Sequence, residues 1–317
     1  MDIVACTDKN YIMPTGVMMY SVCVNNVEDN IVFHIVTIGV SSEEKRKLYN
    51  TVSQFGNKSV NFYDTKELDL SVLPMISNSH VTIATYFRLF LTKLLPQNLN
   101  RIIYLDGDIV VRQSLSSLWE FDIENCAVAA VEEYCVPDSV FERLQYAKEI
   151  GYFNAGVLLI NLEFWRSNNL MSAFVDFVSK YSDSIRYHDQ DVLNYVLKKH
   201  KKSLPIKYNL TTNYLLSNHE CGDRRNLQVI YEAIKDCVIL HFTGEGNPWC
   251  TSCLHPFRSS FFKYQAQTIW KKTPLIENRS TSWRIRNWLG LCLRKVHLLP
   301  ELPPYGKQFI SGLTSID

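Results

Sequence analysis

The chain has 317 residues, with 33 Lys and Arg against 32 Asp and Glu, so its formal charge at neutral pH is +1. Hydrophobic residues make up 46% of the chain and charged residues 21%, which is ordinary for a globular protein and excludes an intrinsically disordered one. The neutral total also excludes a whole-protein field that would attract nucleic acid. The charge is unevenly distributed, because residues 276–317 hold six Lys and Arg against three acids and residues 1–275 hold 27 against 29.

The N-terminus and the cysteines predict a cytoplasmic protein. Residues 1–7 have no basic segment and are too short an apolar stretch for a signal peptide, and no run approaches the ~20 apolar residues of a membrane span. The nine cysteines, an odd number, do not suggest a disulfide framework. Cys250 and Cys253 have the spacing of half a zinc site, but no second pair is suitably spaced. Three glycosylation sequons would matter only in a secreted protein: Asn57, Asn209 and Asn278.

In chain order, apolar runs predict strands that alternate with helices. Residues 31–38 are rich in β-branched side chains and are typical of a strand buried on both faces. Residues 41–44, Ser-Ser-Glu-Glu, have the capping-box pattern that opens a helix, and a helix over 85–95 is stopped by Pro96. The other predicted strands are 3–7, 60–63, 101–105, 127–131, 155–161 and 238–242, with helices near 162–180 and 189–200. The pattern predicts an α/β fold with a mostly parallel sheet flanked by helices.

Polar residues at the ends of these strands are candidates for ligand binding, because ligands of such sheets bind at the carboxyl ends of the strands. Asp8, Asn10 and Tyr11 follow the first strand and can bind a nucleoside, with a simple turn as the alternative. Asp106-Gly107-Asp108 ends the strand at 101–105, and its two carboxylates can converge on Mn²⁺ or Mg²⁺. A solvated acidic turn is the alternative for this pair.

Other strand ends carry further candidates. His241 lies in the strand at 238–242 and could be the third metal ligand, although a histidine there is more often a core residue. The loop that follows contains Gly244, and glycine backbone N–H groups can cradle a diphosphate. Asn154 precedes a buried strand, and Asp189-Gln190-Asp191 precedes a helix, where a turn and a helix cap are the alternatives. Together these weak signals predict a site for a metal-bound nucleoside diphosphate.

The same segments resemble glycosyltransferase family 8, in particular the bacterial lipopolysaccharide galactosyl- and glucosyltransferases. They occur in the family's order within about residues 1–255: 7–11, 85–89, 104–109, 152–161, 189–191 and 241–244. The resemblance implies the GT-A fold, a Rossmann-like catalytic domain over 1–255, and leaves 256–317 as a small helical, basic extension. It also implies transfer of galactose or glucose from a UDP-sugar, with retention of configuration, to lipopolysaccharide or another cell-surface glycan.

The family pattern implies roles for individual residues. Gln190 lies at the position that faces the β-side of the sugar, but an amide is a poor nucleophile. We therefore favour a front-face route in which Gln190 stabilises an oxocarbenium-like state. The implied sets are Asp106, Asp108 and His241 for Mn²⁺ or Mg²⁺; Asp8, Asn10 and Tyr11 for uridine; His80, Gly107 and Gly244 near the diphosphate; and Arg88, Asn154, Asp189 and Gln190 around the transferred sugar.

The sequence departs from the family pattern at two places. Asn247 stands where the motif H-x-x-G-x-x-K-P-W has lysine, which removes a positive charge from the diphosphate site. A catalytically weak or silent UDP-sugar-binding protein is therefore the alternative function. The carboxylate that often follows the strand near residue 131 is either Glu132 or Glu133. A nucleotidylyltransferase, the second alternative, would need a glycine- and lysine-rich phosphate loop, which residues 7–15 lack.

The tail at 283–299 predicts a basic amphipathic helix. Seven of its apolar side chains fall within about 140° at 100° per residue, and no acid lies between Arg279 and His297. This pattern favours peripheral contact with anionic lipid at the inner face of the cell membrane. Docking of the apolar face on the catalytic body is the alternative. The apolar residues are Ile285, Trp288, Leu289, Cys292, Leu293, Val296 and Leu299.

Overall fold

A seven-stranded sheet is the centre of the fold in the computed structural model, which describes residues 1–66, 68, 73, 83–134, 136–216, 226–244, 246–253, 255–296 and 298. The spatial order of its strands is β3-β2-β1-β4-β7-β6-β8, and a second sheet has the order β5-β10-β9. In chain order the strands are β1 (Asp2–Asp8), β2 (Ile31–Ile38), β3 (Lys58–Asp64), β4 (Arg101–Leu105), β5 (Ile109–Val111), β6 (Val128–Glu132), β7 (Phe153–Asn161), β8 (Lys201–Ser203), β9 (Leu210–Thr211) and β10 (Ile239–His241).

Helices cover both faces of the main sheet, and the predicted alternation of strand and helix is confirmed. The α-helices are α1 (Ile12–Asn25), α2 (Ser42–Ser53), α3 (Leu91–Leu94), α4 (Ser116–Trp119), α5 (Asp138–Leu144), α6 (Leu162–Ser167), α7 (Leu170–Tyr181), α8 (His188–Leu197), α9 (Thr212–Leu216), α10 (Asn226–Lys235), α11 (Arg258–Gln265) and α12 (Thr281–Lys295). Short 3₁₀ helices are Ile83–Phe90, Lys148–Ile150, Ser182–Ser184 and Ile206–Tyr208.

Two predicted helices differ from the observed ones. The segment predicted at 85–95 is a 3₁₀ helix that leads into the short α3, because Thr85 and the aromatic residues around it lose side-chain freedom in an α-helix. The segment near 162–180 is divided into α6 and α7 by Asn169, whose φ of 48° lies in the left-handed region. The capping box of Ser41 and Glu44 is confirmed at the start of α2.

The direction of β7 determines which residues meet at the edge of the sheet. β7 runs antiparallel to β4 and β6, whereas β1 is parallel to β2 and β4. The first residues of β7 therefore lie at the same edge as the last residues of β1 and β4. This is why Asn154, which precedes most of its strand, lies beside residues that follow theirs.

The sequence pattern suggested that His241 lies in the main sheet. The structure places it in the second sheet instead. The strand β10 is antiparallel to β5, with His241 opposite Ile109, and parallel to β9, with His241 opposite Thr211. Because Asp108 directly precedes β5, this register places His241 beside Asp108.

Apolar side chains on both faces of the main sheet form the core. Alternate residues of β4 face opposite sides, with Ile103 in one cluster and Ile102 in the other. Full burial of one such side chain contributes about 1.5–3 kcal/mol of transfer free energy. Phe261 of α11 belongs to the cluster on the α1 side, and a Cβ on Gly16 of α1 would come within 2.1 Å of the Trp270 ring. The domain division at residue 255 stays a prediction.

No helix in the described ranges combines the length and the apolar character that crossing a membrane requires.

Candidate functional site

An open cleft of about 170 Å³ lies at the carboxyl ends of β1 and β4. Its lining includes Asp8 and Tyr11 after β1, Arg88 from the 3₁₀ helix, and Asp106 and Asp108 after β4. These residues are far apart in the sequence, and the parallel pairing of β1 and β4 brings them together. The cleft thus collects several of the residues that the sequence predicted for one site.

Three groups at the base of the cleft can hold a metal ion. One ligand atom from each of Asp106, Asp108 and His241 lies within 4.8 Å of the other two, and His241 Nε2 is 3.1 Å from Asp108 Oδ1. Two carboxylates and an imidazole nitrogen are a donor set that suits Mn²⁺. The absence of a side chain at Gly156 leaves room for His241 and Asp106, because a Cβ there would lie 2.1 Å from His241 Cε1 and 2.9 Å from Asp106 Oδ2. The residues present fit a divalent cation.

His241 is buried, with 3% of its surface exposed. Burial disfavours its charged form, but Asp108, with a smaller contribution from Asp106, outweighs burial, so the pKa of His241 is raised. The two carboxylates therefore favour a positive charge beside them, which a proton or a metal ion can supply.

Arg88 is a buried cation at the centre of the site. Its Nη2 donates to Asp106 Oδ1 at 2.7 Å, and its guanidinium lies 4.2 Å from the centre of the Tyr104 ring. Tyr104 also donates to the same Asp106 oxygen, at 3.0 Å. Burial opposes the charge of Arg88, but Asp106 and Asp189 stabilise it, and its pKa is raised. Asp106 is thus held by one oxygen, and its other oxygen faces Gly156 and His241.

Asp189 lies behind Arg88, at the start of α8. Its Oδ2 is 2.9 Å from Arg88 Nε, whose N–H donates to the Thr85 carbonyl, and the Thr85 hydroxyl donates to Asp189 Oδ1. Burial raises the pKa of Asp189 to about 6, although Arg88 and Thr85 favour the carboxylate. Gln190, the next residue, accepts a hydrogen bond from Ala155 N at 2.9 Å. The start of α8 is thereby attached to the first residues of β7.

Asp191 fixes this helix start and does not face the cleft. It is fully buried, and it accepts two hydrogen bonds from Arg143, at 2.7 and 3.2 Å, and one from the Tyr152 hydroxyl at 2.8 Å. The backbone N–H groups of Arg186 and Tyr187 also donate to it. The predicted N-cap is wrong, because Tyr187 is the N-cap residue and no side chain caps α8; Asp191 lies inside the helix and holds the preceding turn instead.

The choice between Glu132 and Glu133 is resolved by the strand geometry. Glu133 accepts from Asn154 Nδ2 at 2.8 Å, whereas Glu132 pairs with Lys201 at 2.8 Å. The pairing of β6 with β7 shifts its register between Ala130 and Glu132, and such an irregularity changes which side chain faces the site. Glu133 is the carboxylate that reaches the candidate site.

The loop after β1 forms a turn that is closed by its own carboxylate. Asp8 Oδ1 accepts from the backbone N–H groups of Asn10, at 2.8 Å, and Tyr11, at 3.2 Å. Asn10 is exposed, and the Tyr11 ring meets Trp249 edge-on with 5.8 Å between centroids. Asn247 is buried and donates to the Tyr11 hydroxyl at 3.3 Å. The two loops predicted to bind the nucleoside and the diphosphate therefore touch each other.

Three further residues bear on the candidate site: His80, Gly244 and Asn209. His80 lies outside the described residues, so its role stays a prediction. Gly244, in the loop after β10, has a φ of 92°, a conformation that favours glycine. Asn209 was considered only as part of a sequon, but it is fully buried and its Oδ1 lies 2.9 Å from His241 Nδ1. No local signal identified it, because it reaches the site only through the pairing of β9 with β10.

The fold and the cleft define an α/β protein with a candidate metal site at the carboxyl ends of its strands, and the comparisons identify the family. The sequence profile described as Glycosyl transferase family 8 matches residues 2–253. The chain therefore belongs to glycosyl transferase family 8. General stress protein A of Bacillus subtilis is 30% identical over 275 residues, which cover 85% of this chain and 94% of that protein. Lipopolysaccharide 1,3-galactosyltransferase of Salmonella typhimurium is 29% identical over 286 residues, covering 88% and 81%.

A solved structure confirms the predicted GT-A fold. Galactosyltransferase LgtC, in complex with donor and acceptor sugar analogues, superposes with a TM-score of 0.74 at 25% identity. The match covers 90% of this chain and all of that one.

We expect the substitution Gly156→Ala to weaken binding of Mn²⁺ by about tenfold or more, because the added methyl group must displace His241 or the Asp106 carboxylate. Isothermal titration of each protein with Mn²⁺ measures the effect. Gly56→Ala is the matched control, since a Cβ there meets nothing within 4 Å. Equal affinity of the Gly156→Ala protein and the control would show that Gly156 does not border the metal site.

Proposed function

We propose that this chain transfers galactose or glucose from a UDP-sugar to a glycan or glycolipid acceptor, with retention of anomeric configuration. The observation that carries this proposal is the convergence of Asp106, Asp108 and His241 at the base of a cleft that also contains Arg88. The names of the relatives agree with it, since they include galactosyl- and glucosyltransferases of lipopolysaccharide.

Mn²⁺ or Mg²⁺, held by the two carboxylates and His241, would supply Lewis-acid stabilisation of the negative charge that develops on the leaving UDP. The chain's own residues prepare that position. Arg88 and Tyr104 fix one oxygen of Asp106, which leaves the other directed toward His241 and Gly156. A ligand already held in place needs little reorganisation when charge develops.

The donor would lie along the cleft from the turn after β1 to the start of α8. Asp8, Asn10 and Tyr11 would contact uridine, and Gly107 and Gly244 would allow close approach of the diphosphate. Asn247, in place of the family's lysine, would contribute hydrogen bonding without charge. Arg88, Asn154, Asp189 and Gln190 would surround the hexose, with His80 near the diphosphate.

Retention is explained by a front-face reaction. The bond between sugar C1 and the diphosphate oxygen breaks, a bond forms between C1 and the acceptor oxygen, and the acceptor proton goes to the leaving phosphate oxygen. The neighbouring carboxylates support this route over a covalent intermediate. Glu133 accepts from Asn154 and Asn213, Asp189 pairs with Arg88, and Asp191 accepts from five donors, so each is already engaged. A glycosyl adduct trapped on any of these carboxylates would contradict the front-face route.

A UDP-release assay with Mn²⁺ and either UDP-galactose or UDP-glucose tests the function. We expect turnover with at least one donor and a loss of about 100-fold or more in Asp108→Asn, because that substitution removes a charged ligand. Asp122→Asn is the control, since Asp122 is an exposed residue that pairs with Lys202. Tight binding of the UDP-sugar with no release under any condition would instead support a silent binding protein.

The tail adds a second part to the proposal, a peripheral contact with the inner face of the cell membrane. Ile285, Trp288, Leu289 and Val296 are exposed by 55%, 62%, 48% and 62%. The alternative, in which this apolar face docks on the catalytic body, would have buried them. Arg286 on the same helix is also exposed, and apolar side chains combined with cations suit anionic lipid.

Co-sedimentation with vesicles tests this contact. We expect binding to vesicles that contain phosphatidylglycerol, weaker binding to pure phosphatidylcholine, and a loss of about tenfold in Trp288→Glu, because a negative charge replaces the exposed indole that would insert into the lipid and adds repulsion. Tyr49→Glu is the control, since Tyr49 is similarly exposed, by 53%, on α2. If Trp288→Glu binds as well as the control, the tail is not the membrane contact.

A further inference from the structure

We propose that Asn209 is a positioning residue for the metal site: it holds the proton of His241 on Nδ1 and links His241 to Asn154 and Glu133. The inference deepens the proposed function and rests on it, because it concerns the same metal site. It begins from a continuous row of hydrogen bonds. His241 Nδ1 is 2.9 Å from Asn209 Oδ1, Asn209 Nδ2 is 2.9 Å from Asn154 Oδ1, and Asn154 Nδ2 is 2.8 Å from Glu133 Oε2.

The direction of this row is determined at Asn154. The backbone N–H of Gly156 donates to Asn154 Oδ1 at 2.9 Å, and a backbone N–H can only donate. Glu133, at the other side of the amide, carries an acceptor-only carboxylate when ionised. The oxygen of Asn154 therefore faces Gly156, and its NH₂ group faces Glu133.

This orientation is passed on to Asn209. Since Asn154 Oδ1 can only accept, the Asn209 group beside it must be the NH₂, and the Asn209 oxygen must face His241. His241 Nδ1 then has to be the donor, whatever proton Nε2 carries. The backbone N–H of Gly156 thus fixes the tautomer of His241 through three successive hydrogen bonds.

The tautomer matters because of what lies at the other ring nitrogen. His241 Nε2 faces Asp108 at 3.1 Å, within the group that can hold a cation. A proton on Nδ1 leaves the Nε2 lone pair available to a metal, and ligating histidines commonly donate their other N–H to a fixed acceptor. Without an acceptor at Nδ1, the neutral ring would favour its proton on Nε2, where Asp108 accepts it, and a metal ion would first have to displace that proton.

Burial makes the arrangement rigid. Asn209 has no exposed surface, and Asn154 and His241 are exposed by 6% and 3%. Water does not reach these groups to replace a lost partner, so a mismatched orientation would leave a buried polar atom unpaired. The parallel register of β9 and β10, with Leu210 opposite Leu240, holds Asn209 alongside His241.

The far end of the row lies where the sugar is proposed to bind. Glu133 Oε1 accepts from Asn213 at 3.1 Å, and Asn213 is exposed. Asn209 therefore connects the orientation of a proposed metal ligand with that of Asn154, which is proposed to contact the sugar. A change at Asn209 should affect both ends, and the two ends can be separated by the choice of substitution.

The experiment compares Asn209→Leu, Asn209→Asp and the wild-type chain, with Mn²⁺ as the probe and no UDP-sugar present. In Asn209→Leu both hydrogen bonds are lost, and we expect Mn²⁺ affinity to fall by about 10–100-fold. In Asn209→Asp the carboxylate still accepts from His241 Nδ1 but faces the Asn154 oxygen with no proton to donate. We expect Mn²⁺ affinity there to stay within about threefold of wild type, or to tighten, because only the partner on the Asn154 side is lost.

A second readout separates positioning from loss of stability. Nitrogen-15 NMR of labelled histidine in the metal-free protein at alkaline pH reports which ring nitrogen carries the proton, with His241 assigned from a His241→Ala spectrum. We expect Nδ1–H in the wild type and in Asn209→Asp, and Nε2–H in Asn209→Leu. The matched control is Asn26→Leu, which also removes a fully buried asparagine with two hydrogen bonds, to Val22 and Leu115, away from the cleft.

The outcomes distinguish this inference from the proposed function. If the wild-type chain binds Mn²⁺ and Asn209→Leu binds it equally, or if His241 keeps Nδ1–H in Asn209→Leu, the positioning role is wrong. A large loss of affinity in Asn209→Asp would also overturn it. Equal losses in Asn209→Leu and Asn26→Leu would reduce the effect to stability. Failure of the wild-type chain to bind Mn²⁺, with or without UDP, contradicts the proposed function itself.

Discussion

The cleft depends on the balance of charge around Asp106, because four carboxylates that are partly or fully buried lie near one another. Asp106, Asp108, Glu133 and Asp189 contribute to this negative charge, and Arg88 is the buried cation that contacts two of them. A buried charge is tolerated only when it is paired and hydrogen-bonded. Arg88 donates to one oxygen of Asp106 and forms an ion pair with Asp189, whose Oδ2 accepts no hydrogen bond. The charge of Asp108 and the remaining Asp106 oxygen is left to attract a cation. The raised pKa of His241 has the same cause, since Asp108 favours its protonated form despite burial.

The antiparallel strand β7 positions the residues that surround these charges. Because it enters the sheet from the opposite end, its first residues reach the edge where β1 and β4 finish. Asn154 and Gly156 are two residues apart on this strand and do different things. Gly156 leaves space between Asp106 and His241, and its N–H orients Asn154. The start of α8 is tied to the same stretch through Gln190 and Ala155. One short length of strand thus positions the proposed metal ligands, a proposed sugar contact and the helix that carries Asp189.

The sequence predicted the main strands and the polar residues at their ends, but it missed the short strands β5, β8 and β9. Apolar runs determine buried strands strongly, and a polar residue directly after such a run, such as Asp106 or Asp108, can be located at the edge of the sheet without coordinates. Features that depend on pairing between distant segments were not predictable. The position of β10 in a second sheet, and with it the contact of Asn209 with His241, follows from registers that no local pattern encodes. The choice of Glu133 over Glu132 depends on an irregular pairing of β6 with β7, and one residue of shift in a strand changes the face on which a side chain lies.

The central claim is that Asp106, Asp108 and His241 bind one divalent cation against the diphosphate of a UDP-sugar. The most direct measurement is the anomalous scattering of Mn²⁺ in crystals of the full chain grown with Mn²⁺ and UDP. The account predicts one anomalous peak at coordination distance, about 2.0–2.6 Å, from His241 Nε2, from oxygens of Asp106 and Asp108, and from oxygens of the diphosphate. Bound UDP with no peak among these three residues, or with the peak elsewhere in the chain, would contradict it.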